Sequence, residues 1–228
     1  GIILTQKYNI RLLIYIPEVA SKYLILFTTH QIMNELVLND YKRIIHKINV
    51  SIEEDKNKAI DYWHRTGDYS YFEYIRRKMY INEYEFNIQQ EQIYKNIMKI
   101  YNEKNNVKCF IYGKVNSGKS ILSYLMARKL SCNICDTFNP TEPSDMFSNL
   151  YYSVNPSSKN PLIVLLDEVD IVLTNLHNEK IRLHKNNATQ IYNKTTWNNF
   201  LDKIDYGLYP NVILILCSNV SIHEINKM

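Results

Sequence analysis

The sequence has no apolar run long enough to cross a bilayer. Its longest apolar runs, Leu162 to Leu166 and Val212 to Cys217, fall far short of the roughly 20 residues that a membrane-spanning helix needs. Neither sign of charge dominates, because 27 Lys and Arg residues are nearly balanced by 23 Asp and Glu residues. A net charge of +4 is typical of a solvated surface rather than of a nucleic-acid-binding face. We therefore expect a globular protein with no membrane span in this chain.

Cysteine is scarce as well, with four residues and no disulfide framework. Cys109 and Cys217 lie inside apolar runs, where free thiols commonly pack. This indicates a reducing, intracellular compartment, and we favour the cytoplasm over an organelle. Cys132 and Cys135 form a lone CxxC pattern. Because a structural zinc site needs a second pair of ligands, we predict no zinc here.

The segment Gly113 to Ser120, GKVNSGKS, fits the phosphate-loop pattern GxxxxGK followed by Ser or Thr. In such a loop backbone N–H groups face phosphate oxygens, the lysine lies along the β and γ phosphates, and the hydroxyl binds Mg²⁺. The flanks read as a buried strand (107–112) and a helix (121–130), which is the context that the motif requires. The residues predicted to bind nucleotide are Gly113, Lys114, Val115, Asn116, Ser117, Gly118, Lys119, Ser120 and Ile121, with Ser120 also a metal ligand.

Two acids follow a second apolar run. The run Pro161 to Asp167 is typical of a strand covered on both faces, and its carboxyl end is where open parallel sheets place their ligands. We predict that Asp167 holds Mg²⁺ through its water shell. Glu168 would orient and polarise the water that attacks the γ phosphate, with Asp170 supporting the pair.

A third buried strand, Asn211 to Ser218, ends at Asn219. Its amide is predicted to reach the attacking water or the γ phosphate, although an Asn after a strand is usually a turn residue. The residues 195–204 form an amphipathic helix before this strand, and the residues 89–101 form another before the phosphate loop. We expect contacts to adenine in the segment Tyr84 to Gln92.

The residues 1–84 mix short apolar and polar stretches, and we predict a small α+β module that ends at residue 84. Its predicted elements are strands at 10–16, 23–27 and 41–50 and a helix at 31–38. Near its end an aromatic run (Tyr69, Tyr71, Phe72, Tyr74) adjoins a basic run (76–78). This pattern suits either a stacking platform for single-stranded nucleic acid or a seam between domains, and we favour the seam.

The motifs GKVNSGKS, LLDEVD and LILCSN, in this order, resemble Walker A, Walker B and sensor 1 of the AAA family of ATPases over about residues 107 to 222. TEPSDMFSNL, TTWNNFLDKI and LCSNVSIHEI resemble the branch of mitochondrial complex III assembly chaperones and related AAA proteins of large DNA viruses. The resemblance implies an α/β P-loop NTPase, a three-layer sandwich with a mainly parallel sheet, over residues 85–228. It implies ATP and Mg²⁺ as cofactors, Glu168 and Asn219 as catalytic residues, a homo-oligomeric ring and a protein substrate.

The chain departs from the family in two places. Lys114, Val115 and Asn116 replace the usual Pro-Pro-Gly, so that a tight turn relies on Asn, which tolerates the left-handed region. The arginine fingers and helical lid of the family come after sensor 1, so we expect a fragment that binds nucleotide with little turnover alone. Two alternatives stay open: a nucleic-acid motor or loader on the same scaffold, and an interaction module that senses ATP without cleaving it.

Overall fold

The structure, a computed structural model, describes residues 12–17, 22–27, 59–68, 71–81, 84–221 and 224. The chain divides into two compact units, Gly1–Asp55 and Lys56–Met228. In the first unit β1 (Leu12–Pro17) and β2 (Lys22–Phe27) pair antiparallel, with Leu12 opposite Phe27. These strands match two that the sequence predicts, while the predicted helix at 31–38 and strand at 41–50 lie outside the described residues.

The second unit is built on a six-stranded sheet. Its strands are β3 (Ala59–Asp68), β4 (Tyr71–Tyr80), β5 (Asn106–Tyr112), β6 (Asn133–Cys135), β7 (Leu162–Leu166) and β8 (Val212–Ser218). They lie in the order β4-β3-β6-β7-β8-β5, and every neighbouring pair is parallel except β3 with β4. The predicted α/β class with a mainly parallel sheet is therefore confirmed.

Helices cover both faces of this sheet. The described helices are α1 (Ile88–Lys104), α2 (Lys119–Leu130), α3 (Phe147–Val154), α4 (Val169–His177) and α5 (Lys194–Asp205). Alternate residues of β7 and β8 pack against the two layers: Ile163 and Ile213 join the cluster with α1 and α2, and Leu162 and Leu214 join the cluster with α3, α4 and α5. Burial on both faces explains why β7 and β8 are continuously apolar. No described helix is long and apolar enough to cross a membrane.

The hairpin of β3 and β4 belongs to the sheet. β3 pairs in parallel with β6, with Asp61 opposite Asn133, and antiparallel with β4. The compact units accordingly divide between Asp55 and Lys56, whereas the sequence predicts a boundary after residue 84. The hairpin differs from β7 and β8 in composition because it lies at one edge of the sheet and stays half exposed. Its mixed polar and aromatic side chains therefore give no buried-strand pattern.

The aromatic run of β4 divides between core and solvent. Tyr74 is buried, and its hydroxyl donates to Asp145 over 2.6 Å, whereas Tyr71 is 75% exposed. Arg76 and Lys78 both pair with Asp61, at 2.7 and 2.6 Å. These two cations thus share a carboxylate on the same strand pair, and Tyr69 lies outside the described residues.

Candidate functional site

The loop after β5 turns twice through left-handed backbone before α2 begins. Asn116 has φ +61° and Gly118 has φ +84°. The expectation that an Asn supports the tight turn is confirmed at Asn116. Ser117 N donates to Lys114 O over 3.2 Å and closes the turn. Since Gly118 is the N-cap of α2 and has no side chain to cap it, the first N–H groups of the helix are left to face the loop.

Two glycines lie where the loop closes on its neighbours. A Cβ on Gly118 would lie 2.9 Å from Nε2 of Gln90, in a backbone region that L side chains rarely adopt. A Cβ on Gly113 would lie 3.1 Å from Oγ of Ser117. The loop is thus packed closely against α1 as well as against itself.

The tips of three neighbouring strands meet at this loop. Because β5, β8 and β7 are parallel neighbours, their carboxyl ends lie at one edge of the sheet. The Lys119 ammonium donates to the carbonyls of Gly113 and Lys114, each over 2.9 Å. It also donates to Oδ1 of Asn219 over 3.0 Å, which brings the loop and the tip of β8 into direct contact.

The tip of β7 reaches the loop through Asp167. The Ser120 hydroxyl donates to Oδ2 of Asp167 over 2.5 Å, and Oδ1 accepts from the backbone N–H of Glu168 over 3.0 Å. A hydroxyl and a carboxylate form the kind of oxygen pair that Mg²⁺ takes from proteins, because this ion keeps several waters and substrate oxygens. Among the described residues no group of three or more His, Cys, Asp or Glu side chains is suited to hold a metal ion by itself.

The two acids after Asp167 have separate positions. Glu168 is exposed and has φ +51°, an unfavourable conformation for a residue with a Cβ, and it stands as the N-cap of α4 without a side-chain cap bond. Asp170 lies in the first turn of α4, and its Oδ1 accepts from the backbone N–H of Asn219 over 3.2 Å. Asp170 therefore holds the tip of β8, whereas the sequence predicts that it supports the acid pair.

A cleft of about 480 Å³ opens over these groups. That volume lies in the range of ligand pockets. The residues that line it are Tyr84, Val115, Asn116, Ser117, Gly118, Lys119, Ser120, Ile121, Asp167, Glu168 and Asn219. Of the residues predicted to bind the phosphates, the metal or the attacking water, Gly113 and Lys114 are missing from this lining, and both contact Lys119 through their carbonyls. Tyr84 belongs to the upstream segment in which the sequence predicts contacts to adenine.

Sequence reasoning missed the contact that α1 makes with the loop. The helix begins with a capping box, in which Oδ1 of Asn87 accepts from Gln90 N and the Gln90 side chain accepts from Asn87 N. The same Gln90 side chain donates from Nε2 to the carbonyl of Gly118 over 3.0 Å. The pattern Asn-x-x-Gln signals a helix start, but it does not reveal what else the glutamine touches.

A further strand tip lies beside the cleft. Asp136 follows β6, and its carboxylate accepts from the hydroxyls of Tyr62, over 2.7 Å, and Tyr124. Burial raises the pKa of both tyrosines, and hydrogen bonding to Asp136 raises it further, so these hydroxyls remain protonated donors. This cluster joins the hairpin strand β3 to helix α2, one turn beyond Ser120.

The cleft therefore combines the uncapped N-terminus of α2, one lysine, a hydroxyl–carboxylate pair, an exposed carboxylate and an amide. Such a set is suited to a polyphosphate with a hydrated divalent cation. A scan of known protein-family models finds none that matches this chain, and a search among curated proteins finds no match either.

Proposed function

We propose that this chain binds ATP with Mg²⁺ and hydrolyses it to ADP and phosphate, as a P-loop ATPase of the AAA type with a three-layer α/β sandwich. One observation carries the proposal. The phosphate loop, the acids after β7 and the amide after β8 line a single cleft, with Lys119 bonded to Asn219 and Ser120 bonded to Asp167. The order of the parallel strands brings the three tips to one edge of the sheet, and the side-chain contacts between them support a shared role there.

Binding of the phosphates falls to the loop and Lys119. The backbone N–H groups at the start of α2 and the ammonium of Lys119 supply positive charge at one place. The Ser120 and Asp167 oxygens fit Mg²⁺, which when bound neutralises charge on the β and γ phosphate oxygens. Since Lys119 and Asn219 are in contact, both act on the same end of the nucleotide.

Hydrolysis falls to Glu168 and Asn219. Glu168 is exposed in the cleft and is assigned the role of orienting and polarising the attacking water. The side-chain amide of Asn219 is assigned the role of binding the γ phosphate or that water. Asp170 acts through Asn219, because it holds the backbone N–H of that residue and so fixes the position of the amide.

The output of hydrolysis is proposed from the family resemblance alone. A homo-oligomeric ring that remodels or translocates a protein substrate in a reducing, intracellular compartment is the favoured form. A motor or loader on nucleic acid is the alternative. DNA-stimulated and salt-sensitive turnover would support that alternative, whereas an ATP-dependent rise in mass in analytical ultracentrifugation without a response to DNA would support the ring.

The test is to measure ATP binding and phosphate release for the wild type and two variants. Lys119→Ala removes the ammonium and should weaken ATP binding by about tenfold or more. Glu168→Gln should keep binding and lower turnover by about 100-fold or more, because it removes the base without changing shape. Lys99→Ala and Glu103→Gln, both exposed on α1, are the matched controls and should match the wild type.

Three outcomes would change the proposal. A wild-type chain that binds no ATP in the presence of Mg²⁺ contradicts it. Binding with no turnover in the wild type, even in incubations long enough to reveal the slow turnover expected of this chain alone, supports the sensing module instead. Turnover by Glu168→Gln equal to that of the Glu103→Gln control removes Glu168 from its assigned role.

A further inference from the structure

The start of α1 is fastened to the phosphate loop by one buried amide. Gln90 is only 8% exposed although it is a polar residue in the first turn of a helix. Its Nε2 donates to the Gly118 carbonyl over 3.0 Å, and its Oε1 accepts from Asn87 N over 3.0 Å. The side chain is thus held at both ends, in a single orientation.

From this contact we infer that Gln90 is a positioning residue, which fixes the peptide between Gly118 and Lys119 and so aims a loop N–H at the phosphates. The inference rests on the proposed function. A peptide unit is planar and trans, so that its C=O and N–H point in opposite directions. The Gly118 carbonyl accepts from Leu122 N, over 3.3 Å, and from Gln90. Holding that carbonyl at two points therefore orients the N–H of Lys119 towards the cleft.

The shape of the loop agrees with this role. Gly118 has φ +84°, and any Cβ there would meet Nε2 of Gln90 at 2.9 Å. The glycine and the glutamine therefore fit each other, and the loop conformation depends on a side chain from another helix.

The segment before α1 is anchored to the same helix α2 at a second point. Arg128 of α2 donates to the carbonyl of Ile81 over 2.5 Å and pairs with Glu85 at 3.0 Å. Tyr84, which lines the cleft, lies between those two contacts. Gln90 thus joins the start of α1, which follows Tyr84 in the chain, to the phosphate loop, and we expect its loss to weaken nucleotide binding.

The test compares three variants at a temperature where circular dichroism shows all of them folded. Gln90→Met keeps an unbranched side chain, removes both amide contacts and adds no charge near the phosphates. Gln92→Met is the matched control, since Gln92 is exposed on α1 and its side chain donates to Asn96 of the same helix. Asn87→Ala removes the helix cap but leaves the Gln90 amide in place.

Two quantities are measured: the Kd for ATP with Mg²⁺, and the hydrogen-exchange rates of residues 113–122 without nucleotide. We expect Gln90→Met to weaken ATP binding about tenfold and to speed exchange in the loop several-fold. Gln92→Met and Asn87→Ala should stay within about twofold of the wild-type Kd, even though Asn87→Ala lowers the melting temperature. A merely structural role for Gln90 would leave the Kd of the folded variant unchanged.

The outcomes separate this inference from the proposed function. If Gln90→Met binds ATP as Gln92→Met does, or if Asn87→Ala weakens binding as much, Gln90 does not position the loop. Unchanged exchange in Gln90→Met overturns the inference in the same way. If the wild type binds no ATP while Gln90→Met still exchanges faster than Gln92→Met, the proposed function fails and the positioning of the loop stands.

Discussion

Two carboxylates of the second unit, Asp145 and Asp167, show opposite kinds of polar site. Asp145 is fully buried and accepts three hydrogen bonds, from Arg65 Nη1 over 2.8 Å, Tyr74 OH over 2.6 Å and Asn139 N over 2.9 Å. An ionised carboxylate has room for about four such bonds, so Asp145 is nearly saturated by protein donors. Its place is to join the hairpin of β3 and β4 to the chain after β6.

Asp167 is exposed, and within the described residues its carboxylate accepts from the Ser120 hydroxyl and from the backbone N–H of Glu168. Its remaining acceptor positions are open to solvent and to whatever enters the cleft. Burial and saturation by protein donors therefore distinguish the structural carboxylate of Asp145 from the carboxylate of Asp167, which can still bind a ligand or a metal ion. Asp145 also lies in TEPSDMFSNL, one of the stretches on which the family resemblance rests, and its contacts give that stretch a structural role.

The same substitution at the two acids should have opposite effects on stability and on turnover. Asp145→Asn leaves Arg65 without its partner and turns an amide NH₂ towards hydrogen-bond donors, so we expect the free energy of unfolding to fall by about 3 kcal/mol. Asp167→Asn should change stability by less than about 0.5 kcal/mol, because its surroundings are solvated, and should lower ATP turnover by about 100-fold. Urea unfolding and phosphate release measure the two effects.

The pair of variants can also fail in an informative way. If Asp167→Asn loses as much stability as Asp145→Asn, the acid after β7 is part of the scaffold. If folded Asp145→Asn loses turnover at a temperature where its stability is ample, the buried cluster acts on the cleft as well as on the fold.

Burial of Cys132 should make the free energy of unfolding depend on pH in the alkaline range. Burial raises the pKa of the Cys132 thiol from 9 to about 12, with a smaller contribution from the charge of Asp61. Because the folded thiol keeps its proton while the unfolded one loses it, the stabilisation is fully present below pH 9 and is lost as the pH rises from 9 towards 12. Between pH 7.5 and 9.5 the wild type should lose about 1 kcal/mol more than Cys132→Ala.

The measurement is the free energy of unfolding in urea at the two pH values. Removing the thiol leaves a small cavity, but that cost is the same at both pH values and cancels in the difference. Ser123→Ala, another buried position without a titrating group, is the control and should follow the wild type. A wild-type pH dependence equal to that of Cys132→Ala would show that the thiol ionises normally in the folded chain.

Much of the fold and of the cleft could be predicted because its signals are local. β7 and β8 are continuous apolar runs, and the phosphate loop has a fixed spacing between a strand and a helix. The hairpin of β3 and β4 could not be assigned to the sheet, because its pairing with β6 is distant in sequence and its edge position leaves no apolar run. The contact of Gln90 with Gly118 was out of reach for the same reason, since a capping pattern specifies one helix and not its neighbour.

The smallest effect concerns the backbone of Glu168, where the comparison between scaffold and cleft can be made within one residue. Its φ of +51° costs a side-chain-bearing residue about 1 kcal/mol, while a glycine there would cost a similar amount in chain entropy. Glu168→Gly should therefore stay within about 0.5 kcal/mol of the wild-type free energy of unfolding and still lose turnover. Lys99→Gly, in the interior of α1, takes the same entropy cost without relieving a strained backbone, so it should lose about 1 kcal/mol. If the two glycine variants lose equal stability in urea, the backbone at Glu168 is not strained. If Lys99→Gly loses stability and Glu168→Gly does not, the backbone at Glu168 is strained, and the fold keeps this conformation because it places the carboxylate in the cleft.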